Sequence, residues 1–370
     1  MKQELPAMVA LARSLAVSDT PGTLTTLFSA RGSTYRPLGS MMVGLPGMHA
    51  GSVTGGCLEE YVARAGERAT RETAATILPF RTHPESEDDA PALGCGGSIE
   101  LLVERLTPCH VALLQQLADA SASDDASMLA TFVERAGQSV RVTREWLRQS
   151  DVPRNRTPEC ARICAAAAGE GQSRHARLDE DTDILVQYVP PLTRLLIFGA
   201  GDDAQPLCEL GYSLGWHVTV VDRRARLATR ARFPHADEVV AADWDDALAA
   251  LRLTPRTAAV LITHSFEDDA RVLALLSLRE VAYVGALGPA HRRHWLLEEV
   301  TARGVYLNDE LAARVRGPIG LDLGDRSAAG IAVAVVAEIL AQLNGRDARP
   351  LHGEMPSPIA SRPGVCLVGA

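Results

Sequence analysis

The second half of this 370-residue chain is expected to fold as a doubly wound parallel sheet of the α/β class, preceded by a separate, smaller N-terminal α/β domain. Three observations lead there. The apolar run at residues 195–198 breaks at Gly199-Ala200-Gly201-Asp202-Asp203-Ala204 and gives way to the helical spacing of Leu207, Cys208, Leu210 and Leu214. Gly215 stops that helix, and residues 216–221 make a second buried run ending at Asp222. Beyond it, strand-like and helix-like segments keep alternating, the pattern of parallel strands joined by crossover helices. Strand, glycine turn, helix, strand and acid, in that order, are the parts of a Rossmann-like dinucleotide-binding unit. Gly199 permits the tight turn, Gly201 lets backbone approach a pyrophosphate, and Ala204 allows close packing of helix on strand. The helix N-terminus offers N–H groups to the anion, and Asp222 is placed to accept from ribose hydroxyls. Asp202 and Asp203 put two carboxylates at the mouth of this anion site, where like charge opposes a pyrophosphate. Asp203 could equally cap the helix.

The chain before this unit reads as follows. Residues 1–17 form an amphipathic helix with Glu4 and Arg13 inside its apolar pattern, and residues 23–30 a β-rich strand. The Gly, Pro and Ser of residues 31–40 make an irregular loop, followed by a short strand at 41–44. The loop at 49–57 opens onto a helical pattern from Leu58 to about Thr76, with Thr54 where an N-cap belongs. Residues 80–92 read as an acidic loop, 98–106 as an alternating strand, 109–120 as a helix, and 128–134 and 139–143 as two strands. An Arg-rich connection at 148–181 surrounds a helical segment at 158–168, and a strand at 183–189 closes a domain of residues 1–190.

Within a Rossmann-like domain at 191–345, strands are expected at 238–241, 258–263 and 282–284, helices at 245–251 and 268–278, and a last helix after residues 317–324. Residues 346–370 form a Pro-rich tail, and no internal repeat is visible.

Composition narrows the function classes. A net charge of -9 and a pI near 5.6 argue against nucleic acid as the main partner. Lys2 is the only lysine, which removes a P-loop ATPase, a Schiff-base enzyme and a lysine general base together. The N-terminal helix is not a signal peptide, and the run at 330–343 is too short to span a bilayer, so no membrane role and a cytoplasmic location are expected. Seven cysteines without a C-x-x-C pair indicate neither a disulfide framework nor a zinc ribbon.

Two glycine-flanked thiols stand out: Gly55-Gly56-Cys57 and Gly94-Cys95-Gly96-Gly97. A cysteine at a helix start has its thiolate stabilised by the helix dipole, so Cys57 is a candidate nucleophile, persulfide carrier or soft-metal ligand. The competing reading makes it a small residue filling the helix start. Cys160 and Cys164, at i and i+4, could hold a metal, but their alanine-rich surroundings favour apolar packing. Cys208 and Cys109 read as core. His264, at the end of a parallel strand, is an acid/base or ligand candidate, or a cap for the following helix. Arg31 and Arg36 flank the loop containing Ser33 and could clamp an oxyanion, or could simply be solvated. Gly285 and Gly288 mark another turn at a strand's carboxyl end, and Asp322 between glycines reads as a turn residue.

Taken together, Arg31-Gly32-Ser33 through Pro37 and Gly39, Gly51-Ser52-Val53-Thr54-Gly55-Gly56-Cys57-Leu58-Glu59, and Leu93-Gly94-Cys95-Gly96-Gly97 resemble the first domain of the xanthine dehydrogenase accessory family (XdhC/CoxI). The second half resembles its Rossmann-like domain at Gly199-Ala200-Gly201, Val220-Val221-Asp222, Thr263-His264, Tyr283-Val284-Gly285-Ala286-Leu287-Gly288 and Pro318-Ile319-Gly320-Leu321-Asp322-Leu323-Gly324. The resemblance covers residues 20–105 and 192–345, with one departure: the family often has His directly after the glycine that is Gly201 here, where this chain has Asp202. It implies a maturation chaperone, rather than a catalyst, that binds molybdenum cofactor as molybdopterin or its dinucleotide form. Such a protein supports replacement of the cofactor's terminal oxo ligand by sulfur and delivers it to a molybdenum hydroxylase. The partners implied are that hydroxylase and a cysteine desulfurase, and a homodimer is compatible. On this reading Cys57, Cys95 and His264 carry the chemistry, with Cys57 the metal ligand. Arg31, Ser33, Arg36, Gly55, Gly56, Gly94, Gly96, Gly97, Gly199, Gly201, Asp222, Gly285 and Gly288 line the cofactor. The competing class is an NAD(P)-dependent oxidoreductase using His264, and a third is a nucleotide-sensing protein without chemistry.

Overall fold

The computed structural model describes residues 3–18, 22–32, 34–56, 58–81, 98–137, 139–148, 157–305 and 309–350. The chain divides into two compact units, Met1–Leu192 and Thr193–Ala370. The first runs α1 (Glu4–Ala16), β1 (Thr23–Arg31), β2 (Met41–Leu45), β3 (Met48–Gly51), α2 (Glu59–Ala69), β4 (Ala75–Arg81), β5 (Ser98–Arg105), α3 (Pro108–Ser121), β6 (Ser127–Ala136), β7 (Ser139–Arg148), α4 (Pro158–Glu170), β8 (Arg174–Arg177) and β9 (Thr182–Val189). Its strands form two antiparallel sheets, ordered β3-β2-β1-β5-β4 and β7-β6-β9-β8. With two sheets, it is not the smaller unit in chain length. Leu5, Met8 and Ala12 of α1 pack with Leu24, Val43 and α3, while Cys160, Ile163 and Cys164 of α4 pack on Ala130, Phe132 and Ile184.

The helix expected to reach Thr76 ends at Ala69. Arg105 donates from Nε to the Thr70 carbonyl, satisfying an acceptor at the helix C-terminus, and residues 75–81 pair with β5 instead. Their β-branched and aromatic members suit a half-buried pleated surface better than another helical turn. Strands β3 and β8, four residues each, carry too few alternations to register as a period.

The second unit runs β10 (Arg194–Phe198), α5 (Ala204–Ser213), β11 (His217–Val221), β12 (Glu238–Val240), α6 (Trp244–Ala250), β13 (Thr257–Leu261), α7 (Phe266–Leu276), β14 (Tyr283–Ala286), α8 (Ala290–Ala302), α9 (Asp309–Arg314), β15 (Val315–Arg316) and α10 (Ala328–Leu343). Its parallel sheet is ordered β12-β11-β10-β13-β14-β15. Alternation along β10 separates two cores. Leu195 and Ile197 face Leu207 and Cys208 of α5 and Val335 and Ile339 of α10, whereas Leu196 and Phe198 face α6, α7 and α8. Gly211 brings α5 onto the sheet, because a Cβ there would press on Leu195 and Val218 at 2.8 and 2.9 Å. Numbered from β10, the order is 3-2-1-4-5-6, so the chain reverses direction across the sheet between β10 and β13. Among the described residues no helix is long and apolar enough to cross a membrane.

Candidate functional site

The reversal point opens a crevice at the carboxyl ends of β10, β13 and β14, where ligands of such sheets are held. Gly199 has φ +114°, and a Cβ on it would collide with the Ile262 carbonyl beyond β13, so only glycine lets the two strand ends approach. Gly201 faces the crevice differently, its would-be Cβ 2.7 Å from Asp203 Oδ1 and 3.7 Å from His264 Nε2. Asp222, 2% exposed, follows β11 and bends back under the turn. Its Oδ2 accepts from Ala200 N–H at 2.8 Å and from Arg224 Nη2 at 2.7 Å. Its Oδ1 accepts from Arg224 N at 2.8 Å and Nε at 2.9 Å. Burial works against its charge, but Arg224 and the two backbone donors outweigh it and hold the carboxyl below its ordinary range. Both oxygens are thus engaged within the protein, and a ribose contact at Asp222 has to displace Arg224.

The two carboxylates of the turn are each matched. Arg232 donates to Asp202 at 2.8 Å and to the Ala200 carbonyl at 3.2 Å. Asp203 precedes α5 but makes no side-chain cap bond; its Oδ2 lies 3.0 Å from His264 Nε2. His264 takes the left-handed φ of +61°, uncommon without glycine, and does not cap α7, since Ser265 Oγ accepts from Asp268 N–H at 3.3 Å. Across the crevice Asp269, 1% exposed, takes Thr263 Oγ1 at 2.6 Å and Arg292 Nη2 at 2.8 Å. A cavity of about 200 Å³ remains, lined by His264, Asp269, Gly288 and Arg292 among others. Among the described residues Arg292 Nε is buried at this cavity without a hydrogen-bond partner, as are Asp203 Oδ1 beside Gly201 and Arg232 Nε beside the turn. Orphaned polar atoms of both signs are what a polar ligand would satisfy. Arg292 lies over Gly288, where a Cβ would strike its side chain; at Gly285, inside β14, that space belongs to Ile319 and Tyr283.

In the first unit the loop at Gly55 and Gly56, with φ +93° and +103°, already holds an anion of its own. Glu59, 2% exposed at the start of α2, accepts from Thr54 N–H at 3.0 Å, Thr54 Oγ1 at 2.8 Å, Gly55 N–H at 3.1 Å and Leu58 N–H at 3.1 Å, and from the Ser52 hydroxyl. Burial raises its pKa, but these donors and the Gly56 N–H prevail and bring it down to about 2. Thr54 is therefore not the N-cap; that position is Leu58, four residues on. The cradle organises the chain on both sides of position 57, while a Cβ at Gly56 would meet none of the other described residues within 4 Å. Glu59 was not among the sequence candidates. Its signal is an acid at the first helical turn preceded by Ser52, Thr54 and two glycines.

Arg36 donates from Nη2 to both oxygens of Glu4, at 2.6 and 2.7 Å, and from Nε to the Ser52 carbonyl at 3.2 Å, tying the loop to α1. Arg31, at the end of β1, stands apart from it and lines a different cavity. Ser33, Cys57, Gly94, Cys95, Gly96 and Gly97 lie outside the described residues, as does Cys366. Cys160, Cys164 and Cys208 are buried in apolar clusters, and burial pushes the Cys164 thiol up to about 12 and that of Cys208 to about 11, which keeps both protonated. Cys109 is exposed. Among the described residues no three His, Cys, Asp or Glu side chains converge as a metal site.

Strand order and glycine turn define the second unit as a Rossmann-type unit. A sequence model of the XdhC and CoxI family matches residues 15–81, and one of the XdhC Rossmann domain matches residues 195–339. The chain belongs to the XdhC and CoxI family. It is 28% identical over 321 residues to a probable xanthine dehydrogenase subunit of Bacillus subtilis (strain 168), covering 86% of this chain and 92% of that one. It is 24% identical over 318 residues to the molybdenum cofactor insertion chaperone PaoD of Escherichia coli (strain K12), covering 85% and 81%. A crystal structure of a xanthine dehydrogenase from Bacillus halodurans shares the fold, with a TM-score of 0.69 at 22% identity over 92% of this chain and 96% of that one.

Proposed function

We propose that this chain is a maturation chaperone that binds molybdenum cofactor, as molybdopterin or its dinucleotide form, supports its sulfuration, and inserts it into a xanthine dehydrogenase-type molybdenum hydroxylase. The observation that carries this reading is the crevice at the sheet reversal, where Gly201, the Asp203–His264 pair and Arg292 surround buried polar atoms without partners. That donor and acceptor set suits a polar, anionic ligand of the pterin or nucleotide kind. The similarity to PaoD, named a molybdenum cofactor insertion chaperone, supports the same class of cargo. In this proposal Arg292 and the turn at Gly199 and Gly201 bind the cargo, and His264, oriented by Asp203, holds or moves a proton at Nδ1. Asp222 contacts a ribose once Arg224 yields. Cys57, on the loop braced by Glu59, is the functional thiol and soft ligand, with Cys95 in support. A cysteine desulfurase supplies the sulfur, and the protein acts in the cytoplasm.

The Asp203–His264 pair beside a 3-2-1-4-5-6 sheet also favours a second reading, an NAD(P)-dependent oxidoreductase with His264 as its acid/base group. One preparation separates the two. Protein purified anaerobically from a molybdenum-replete host is expected to carry pterin and molybdenum and to turn over no nicotinamide. Pterin-free protein that oxidises or reduces a nicotinamide would overturn the chaperone reading.

A further inference from the structure

We propose that a cavity lined by both sheets of the N-terminal unit is a seat for a phosphate monoester, gripped by Arg31 from one sheet and Arg177 from the other. The cavity measures about 460 Å³ and lies at the ends of β1, β4, β5, β6, β8 and β9. Three arginines line it, Arg31, Arg135 and Arg177. Arg135 is already committed: it makes a two-pronged pair with Asp183, which is 2% exposed, at 3.0 and 2.7 Å. Asp183 is thereby neutralised. The second carboxylate, Glu100, accepts from Ser29 Oγ at 2.7 Å. Arg177 reaches Asp183 only through Nε, at 3.4 Å, and 61% of its side chain is exposed, so its terminal N–H groups are open to a ligand. Arg31 has no side-chain partner among the described residues. Two of the arginines that line the cavity thus have unused donors, and paired guanidinium groups of this kind recognise tetrahedral oxyanions.

A second observation points the same way. His175 Nε2 is buried without a hydrogen-bond partner; Asp183 Oδ1 stands 3.8 Å off, beyond hydrogen-bond reach. The ring is held edge-on against Phe28, centroids 5.0 Å apart, so its nitrogen is fixed in direction. Burial lowers the His175 pKa, although Asp183 and Glu100 oppose this, and the neutral ring offers one N–H that a phosphate oxygen could accept. Arg31, Arg177 and His175 would then supply donors from three separate side chains, which suits a group with three terminal oxygens better than a planar carboxylate. In this proposal the partner of Arg31 is Arg177, 146 positions away, while Arg36 of the loop is bonded to Glu4.

The identification of the natural occupant as the phosphate end of molybdopterin rests on the chaperone reading; the seat itself does not. The test uses inorganic phosphate titrated into the full chain and followed by phosphorus NMR. Wild type is expected to bind, Arg31→Ala and Arg177→Ala each to weaken binding at least about tenfold, and Arg162→Ala, an exposed arginine of α4 paired with Glu159, to leave it unchanged. Both arginines are exposed, so the variants should fold, and circular dichroism checks this. Equal phosphate binding in wild type and both arginine variants, or none in wild type, would overturn the seat. The pterin content of the same proteins addresses the other reading separately: phosphate binding lost in the variants, with a pterin-free wild type, sustains the seat and sinks the chaperone reading.

Discussion

Glu59 is the residue whose surroundings say most about the first unit. Its carboxylate replaces the external anion that the glycine-rich loop would otherwise suit, so the loop's shape is set before any ligand arrives. Replacing it by Gln keeps the size but loses the charge and turns one acceptor into a donor facing other N–H groups. We expect Glu59→Gln to cost about 1–3 kcal/mol of stability at neutral pH, measured by urea unfolding. The sign of the pH effect follows from a folded pKa near 2 against an ordinary 4.5. Its contribution is fully present above 4.5 and is lost as the pH falls towards 2, so the gap between wild type and variant should close over that interval. Asp222 was legible in the sequence because strand, turn and helix lie within one short stretch and their spacing is dictated by local geometry. What fills its oxygens was not: Arg224 is two residues away and could as well have pointed outward. Arg31 was legible as a cation near glycines, but Arg177 had no signal, since their approach depends on how two sheets pack.

At the scale of elements, the turn between β10 and α5 depends on glycine for two separable reasons, backbone conformation and close approach. Gly47, in the turn between β2 and β3, has φ +83° and open space where a Cβ would go, so Gly47→Ala should cost only the left-handed conformation, about 1–2 kcal/mol. Gly199→Ala meets the Ile262 backbone as well, and should destabilise by several kcal/mol more than Gly47→Ala. Denaturant midpoints of the two variants check this directly, and equal losses would mean that the β10 turn tolerates separation from β13. Helices α5, α6, α7 and α10 and all parallel strands of the second unit but β15 could be read from periodicity, because each buries one stripe or a short continuous run, whereas α8, α9 and the two-residue β15 could not. The end of α2 could not. Residues 70–76 suit a helix by local spacing, and it is pairing with β5, from Arg81 with Ser98 to Ala75 with Glu104, that makes 75–81 a strand.

At the scale of the molecule, each unit presents a different feature: the first a loop braced by Glu59, the second a crevice with an oriented imidazole and unsatisfied polar atoms. In the chaperone account the thiol at position 57 is the soft ligand of the cargo. The most direct measurement is activation of a cofactor-free molybdenum hydroxylase by wild-type chain, by Cys57→Ser and by Cys160→Ser, with cofactor and a cysteine desulfurase present. The account predicts activation by wild type and by Cys160→Ser, whose thiol lies in an apolar core, and a drop of at least about tenfold for folded Cys57→Ser. Activation by Cys57→Ser equal to wild type would contradict it.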